Sequence, residues 1–366
     1  MTNSRLTKLS QFAAAAKLDC IALVPGPNLV YYTGLHFHLS ERPTLALLPV
    51  DGRPVLIVPA FEASKADNSP IDWQIFTYRD GQDPLDAFRA ASTALNLGTA
   101  TIGVEALKMR VLELRLLEQA AAHVKIENAE DSIAASRTIK DADEIAAMRR
   151  AIAITEQALD DVLDVVRVGM TERQVANELL VALLRRGAEA IAFEPLIQAG
   201  PHAALPHLAA GEGVIQAGEG LLMDFGIIVD GYNSDITRTF AVGAVSDEFK
   251  RIYEVVKQAN AAGRAAAKPG ATGQDIDRAA RKVIVEAGYG QYFTHRTGHG
   301  LGLEGHEPPY MVEGNAVPLV PGNTFTVEPG IYIPGVGGVR IEDDVLITAD
   351  GAESLTTYNR ELVVIS

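Results

Sequence analysis

The spacing of apolar positions changes repeatedly along the chain, and each change predicts an element. LTKLSQFAAAAKL (6–18) reads as a helix, whereas CIALV (20–24) is a continuous apolar run of strand length. TLALLPV and RPVLIVP flank Asp51-Gly52, a hairpin-turn dipeptide. PLDAFRAASTAL (84–95) returns to helical spacing, TIGVE (101–105) to a strand, and the segment from Met109 to Ala122 to a helix. Strands alternating with helices predict an α/β domain of two or three layers. From Ser136 to Val166 the pattern is one long amphipathic helix with charges round its polar face. The boundary is drawn just before it, giving an N-terminal domain over 1–134 and a second domain over 135–366.

The second domain contains an internal repeat. VGMTERQVANELLVALLRRG (168–187) aligns with PGATGQDIDRAARKVIVEAG (269–288) at a constant offset: Gly169 meets Gly270, Thr171 meets Thr272, Val175 meets Ile276, and Gly187 meets Gly288. Each threonine suits an N-cap, with Gln174 as capping-box partner in the first copy and Asp275 as a weaker one in the second. Each copy ends in glycine, the usual residue after a helix. A long helix precedes each copy and an apolar, strand-rich segment follows it. Two such helix–helix–strand units predict an α+β domain built by duplication, with a pseudo-twofold site between the halves.

Composition narrows the function classes. The chain has 366 residues, 48% of them hydrophobic, and a formal charge of −15, enough apolar material for sizeable cores. No basic stripe marks a nucleic-acid partner. Cys20 is the single cysteine, so no internal disulfide can form and a reducing, cytoplasmic setting is expected. The uncharged stretch from Cys20 to Ser40 is broken by Pro25, Gly26, Pro27 and Asn28, so no membrane span is expected, and the first residues lack a secretory pattern.

Candidate chemistry lies in the strand-rich segments after each repeat copy. In LLMDFGIIVDGYNSDITRTF, Asp230-Gly231 is a strong hairpin signal. With those two as the loop, Val229 pairs with Tyr232, Gly226 with Asp235 and Asp224 with Thr237. Asp224 and Asp235 then share a face as diagonal neighbours, about 7–8 Å apart at the backbone, while Asp230 points elsewhere. In TVEPGIYIPGVGGVRIEDDVLI, a loop centred on Gly335 sets Glu328 opposite Glu342. Like charges so placed repel, and burial makes that worse; a divalent ion removes both objections. Two carboxylate pairs and an imidazole form a set of hard oxygen donors that suits Mn²⁺, Co²⁺ or Zn²⁺ in a two-metal arrangement. Taken singly, each aspartate reads as a turn residue and each glutamate as part of a solvated edge; the face-matched spacing of all four favours metal. TGHGLGLEGHEPP (297–309) holds two of the chain's eight histidines, His299 and His306, with His295 just upstream. Gly298 and Gly300 would let His299 approach a metal closely, and His306 reads as the start of a rigid loop. Gly300, Gly302 and Gly305 also fit a dinucleotide-binding glycine pattern, but Pro308-Pro309 forbids the helix it requires.

DFGIIVDGYNSDITRTF, TGHGLGLEGHE, TVEPGIYI and GVRIEDD, in that order and spacing, resemble the metallopeptidases of the pita-bread fold, which include methionine aminopeptidase, aminopeptidase P and prolidase. NLVYYTGL with the following Arg42-Pro43 looks like the creatinase-type N-terminal domain of the aminopeptidase P and prolidase branch. The resemblance implies two divalent ions, Mn²⁺ first with Co²⁺ or Zn²⁺ as alternatives, held by Asp224, Asp235, His299, Glu328 and Glu342, with Asp235 and Glu342 each touching both. It implies that Glu328 shuttles the proton, that His306 stabilises the oxyanion, that His207 and His295 contact substrate, and that Arg340 orients the second glutamate. The implied substrate is a peptide with proline second, cut at the Xaa-Pro bond by a homodimer.

Prolidases restricted to dipeptides often carry an arginine shortly after the HE dipeptide. Here the run is HEPPYM, with Tyr310 near that place, which favours longer peptides in the manner of aminopeptidase P. Two rivals remain: a metal-dependent hydrolase of a small non-peptide amide, and a peptide-binding relative without activity, which the intact ligand set disfavours.

Overall fold

The computed structural model describes residues 2–365. The chain divides into two compact units, Met1–Arg137 and Thr138–Ser366.

The first unit contains α1 (Thr2–Ala15), β1 (Cys20–Leu23), α2 (Pro27–Thr33), β2 (Leu45–Pro49), β3 (Val55–Pro59), β4 (Gln74–Tyr78), α3 (Leu85–Leu95), β5 (Thr101–Val104), α4 (Val111–Ala120), β6 (Lys125–Asn128) and α5 (Glu130–Arg137). Its strands form one mixed sheet in the order β4-β3-β2-β1-β5-β6. The hairpin expected at Asp51-Gly52 is present, with Leu45 opposite Ile57. One sheet face, through Ala22, Leu45 and Ile57, packs on Phe88 and Ala91 of α3 and Leu117 of α4. On the other face β5 carries Gly103, where a Cβ would lie 2.6 Å from Ala129 and 2.7 Å from Leu18. Glycine is needed there because the chain segments press directly on the sheet.

The expected single helix over 136–166 is broken. Ser136 and Arg137 end α5, residues 138–141 are not helical, and α6 (Ala142–Leu163) follows. The Asp141 side chain accepts from the Asp143 and Glu144 amides, and Glu144 closes a capping box back to Asp141. This D-x-x-E start signal lies inside the amphipathic run and overrides its continuity.

The second unit continues with α7 (Glu172–Arg186), β7 (Ala190–Ile191), β8 (Leu196–Ala199), β9 (Gly220–Phe225), β10 (Ile227–Val229), β11 (Tyr232–Asn233) and β12 (Ile236–Val242). The order then recurs: α8 (Asp247–Ala266), α9 (Gly273–Glu286), β13 (Gly298–Gly300), β14 (Glu307–Met311), β15 (Thr324–Val327), β16 (Gly330–Ile333), β17 (Gly337–Arg340) and β18 (Asp343–Ile347), followed by β19 (Ala352–Ser354) and β20 (Val364–Ile365). Thr171 and Thr272 both cap their helices through full capping boxes, so Asp275 does the work of Gln174. Both threonines also form isolated bridges, to Val214 and Pro318 respectively. The two halves therefore repeat in their pairing as well as in their pattern.

Both site hairpins have the expected register. Val229 pairs with Tyr232 and Asp224 with Thr237, while the ladder lapses at Gly226 and Asp235. Asp230 and Gly231 turn with φ of 50° and 79°, both left-handed, and Asp230 faces outward to pair with Arg150. In the second half Gly330 pairs with Arg340 and Val327 with Asp343, which centres the hairpin on Gly335. The halves meet through an isolated bridge between Thr237 and Glu342.

Candidate active site

Asp224 is the next-to-last residue of an apolar strand, β9, that is buried along its whole length; a carboxylate there needs a partner. Arg340 supplies one, its guanidinium forming an ion pair with Asp224 Oδ2. Asp235 follows β11, and its amide donates to Asp344 Oδ2 at 3.1 Å. Asn260 of α8 secures the second pair: its side-chain amide donates to Val327 O (2.9 Å) and Ile341 O (3.2 Å), the carbonyls just before Glu328 and Glu342. Thr237 Oγ1 donates to Glu342 Oε2 and accepts from Arg340 Nε at 3.0 Å.

Each acidic residue of IEDD has a separate task. Glu342 faces a cavity of about 580 Å³. Asp343, on the opposite side of the strand, is gripped by Arg238 and Arg360, each at 2.7 Å, and by Arg264 at 3.3 Å. Asp344 returns to the first side to hold the Asp235 amide.

The structure gathers the expected ligands on that cavity. Asp224, Asp235, His299, Glu328 and Glu342 all line it. One ligand atom each from Asp235, His299 and Glu342 lie within 4.8 Å of one another, and His299 Nε2 stands 3.3 Å from Glu328 Oε1. His299 Nδ1 lies 3.1 Å from Gly300 O. A proton on Nδ1 would serve that bond and leave the Nε2 lone pair facing the carboxylates. Asp224 Oδ1 and Asp235 Oδ1 are buried with no hydrogen-bond partner, the expected signature of oxygens that belong to a cation. This donor set fits divalent metal.

The electrostatics agree. Burial raises Asp235 and Glu342 well above the ordinary carboxylate range, with neighbouring carboxylates adding to it, and burial pushes Glu328 up to about 7. Burial, with His306 next, lowers His299 to about 3, which keeps the imidazole neutral as a ligand must be. Among the described residues, Arg340 is the one guanidinium that pairs with any of Asp224, Asp235, Glu328 and Glu342, gripping Asp224, and a divalent ion would supply the rest of the compensating charge.

His207, His295, His306 and Arg340 also line the cavity. His306 is exposed, and its ring lies 3.8 Å from that of His299, tilted by 32°. It is followed by strand β14, where a rigid loop was expected. The glycines flanking His299 have another reason as well: a Cβ on Gly298 would sit 1.8 Å from Thr326 O, and one on Gly300 2.4 Å from Pro308 O. They let β13 nest between its neighbours. Arg340 reaches Glu342 only through the Thr237 hydroxyl and grips Asp224 directly. Both ring nitrogens of His295 are engaged, Nδ1 with Arg296 O (2.7 Å) and Nε2 with Tyr332 Oη (2.8 Å). Its face and edge, not a free nitrogen, are what it can offer a ligand. Phe193, Glu194, Leu196, Pro206 and Arg296 complete the wall and were missed in the sequence. Arg296 stands over the Tyr310 ring at 4.6 Å, a cation beside the cavity that no spacing rule singles out.

A family model described as metallopeptidase family M24 matches residues 146–349, and one described as the creatinase/prolidase N-terminal domain matches residues 5–139. An Xaa-Pro dipeptidase of Lactobacillus helveticus is 37% identical over 363 residues, covering 98% of each chain. The structure of recombinant prolidase from Thermococcus sibiricus superposes with a TM-score of 0.95 at 31% identity, over 100% of this chain and 99% of that one. The X-Pro aminopeptidase of Thermotoga maritima MSB8 gives 0.85 at 32% identity, over 98% and 99%.

Proposed function

Because the chain belongs to metallopeptidase family M24 and carries a creatinase/prolidase-type N-terminal domain, we propose that this peptidase hydrolyses the Xaa-Pro bond of dipeptides with two divalent ions. The domain assigned to 135–366 carries the chemistry. Asp224, Asp235, His299, Glu328 and Glu342 hold the ions, Mn²⁺ by preference for an oxygen-rich set. Bound divalent ions supply Lewis acidity toward the scissile carbonyl and make water acidic enough to react near neutral pH. The observation that carries this reading is the pair of orphaned buried oxygens on Asp224 and Asp235.

Glu328, with its carboxyl raised to about 7, accepts a proton and returns it to the leaving proline nitrogen. His306 reaches into the cavity from its rim and donates to the developing oxyanion. His207, exposed on the cavity wall, contacts the substrate, and His295 packs its ring against it. Arg296 meets the free carboxylate of a dipeptide. The arginine absent after the HE dipeptide thus has a counterpart three residues before His299, which reverses the preference for longer peptides. Exposed apolar residues of the first unit, among them Phe61, Leu107 and Val111, support a homodimer, and the lone buried Cys20 a cytoplasmic setting. No helix among the described residues is long and apolar enough to cross a membrane.

The test is emission spectroscopy for bound metal, with rates on Xaa-Pro dipeptides and Xaa-Pro-Xaa tripeptides in Mn²⁺, Co²⁺ and Zn²⁺. Two ions per chain and a dipeptide preference of about tenfold or more are expected, the scale of one charged hydrogen bond. Faster tripeptide turnover would return the enzyme to the aminopeptidase P reading, and activity without metal would overturn the whole assignment.

A further inference from the structure

Residues 138–141, which interrupt the expected long helix, are fastened into the second unit. Lys140 N donates to Gly322 O at 2.8 Å, and the Asn323 side chain donates to Thr138 O at 2.8 Å. This placement delivers the Lys140 ammonium to Glu307, the residue after His306. The two side chains form an ion pair and are 1% and 4% exposed. Removing two such charges from water costs several kcal/mol each, so a buried pair is weak evidence of stability and invites another explanation.

The surroundings supply one. The turn from Gly302 to His306 wraps closely over the pair: a Cβ on Gly302 would lie 2.8 Å from both Lys140 Cε and Glu307 Oε1. Gly302 N donates to Glu304 O at 3.0 Å, Glu304 N donates to Glu307 Oε2 at 3.4 Å, and the Asn233 backbone and side-chain amides both donate to Gly302 O at 2.8 Å. Glu307 also opens β14 opposite Gly300, next to His299. The carboxylate of Glu307 is therefore the fixed point from which the His306 ring is hung.

We propose that Lys140 is a positioning residue for His306, acting through Glu307, so that the oxyanion donor is set by the segment that opens the second unit. The proposal rests on the reading of His306 given above. A side chain misplaced by 1 Å can cost about 10²-fold in rate, and a loss of that order is expected in kcat for Lys140→Met. Metal affinity and KM should stay close to those of the parent enzyme.

The experiment is a double-mutant cycle on the full-length, metal-loaded enzyme, with folding checked by circular dichroism. His306→Ala should lower kcat, and Lys140→Met should then lower it no further in that background. If Lys140→Met does not fold, Lys140→Met/Glu307→Gln, which removes both charges, takes its place in the cycle and should still lose kcat. Equal losses with and without His306 would overturn the positioning role while leaving the assignment of His306 intact. A parental kcat in the folded Lys140 variant, with only its melting temperature lowered, would likewise reduce the pair to a structural one. Should His306→Ala itself turn over at the parental rate, the oxyanion assignment falls and the proposal with it.

Discussion

Thr237→Val tests whether Glu342 is a ligand held in place from behind. The substitution keeps the shape of the side chain and removes only the hydroxyl. Thr237 is fully buried, pairs with Asp224 across β9 and β12, and bridges to Glu342. Its hydroxyl donates to Glu342 Oε2 and accepts from Arg340 Nε. Arg340 keeps its contacts to Tyr332 Oη and Asp224, so the main loss falls on Glu342. A hydrogen bond to a charged group is worth about 1.5–3 kcal/mol. Partners behind metal ligands change metal affinity by about 10–100-fold when removed, which is the same free energy expressed as binding. We therefore expect Mn²⁺ affinity, measured by competition with a chelating dye, to fall by about 10–100-fold. Activity should recover at saturating Mn²⁺. An unchanged Mn²⁺ affinity alongside a lowered melting temperature would mean that Glu342 does not bind metal, and the second carboxylate pair would lose its assignment.

The remaining predictions concern charge at the same cavity. Carboxyls raised by burial (Glu328 to about 7, Asp235 and Glu342 well above the ordinary carboxylate range) cost the metal-free protein stability above their unfolded values, most fully above their folded ones. His295 and His299, lowered to about 4 and about 3, cost stability below their ordinary 6.5. The melting temperature of EDTA-treated protein should therefore climb as pH falls from about 8 to about 6.5, with the histidines offsetting further gain below that; a metal-free melting temperature that instead climbs with pH across that window would contradict the buried-carboxylate account. Asp235→Asn should abolish turnover and lower bound metal in emission spectroscopy, and a variant with parental rate and metal content would remove Asp235 from the site. Arg296→Ala should raise KM for an Xaa-Pro dipeptide by about 10–100-fold, the scale of a charged hydrogen bond, and leave the corresponding Xaa-Pro amide unaffected; equal losses on both would show that Arg296 serves the wall and not the carboxylate.

What the sequence disclosed follows from which interactions are local. Asp224 and Asp235 were legible because a two-residue turn fixes register by counting, and the same count about Gly335 set Glu328 against Glu342. The capping threonines of the repeat were legible because a cap acts within one turn of helix. The break at 138–141 has a local signal, Asp141 with Glu144, but the apolar periodicity runs past it and masks it. Arg296 and Lys140 carry no such local mark. An arginine beside a histidine, or a lysine in a polar stretch, has the composition of any surface.

Their roles come from distance in sequence. Lys140 meets Glu307, and Arg238 meets Asp343, across chain separations that no pattern of neighbours can encode. The asymmetry has a physical root. The four candidate carboxylates sit in or beside hairpins whose strands are adjacent in the chain, so counting about the turn specifies them. The groups that hold those strands in place include buried charges made tolerable by counter-charges distant in the chain. A single buried charge looks in sequence like one of the many exposed ones. The IEDD motif combines both cases in three consecutive acids. Glu342 could be placed by counting, whereas the grip of three arginines on Asp343 and the bond from the Asp235 amide to Asp344 exist only once the halves have closed on each other. Substitutions at Arg238 or Asp344 should therefore disturb the metal site as strongly as substitutions nearer the cavity, since they act on the β18 strand that presents Glu342 and on the backbone that presents Asp235.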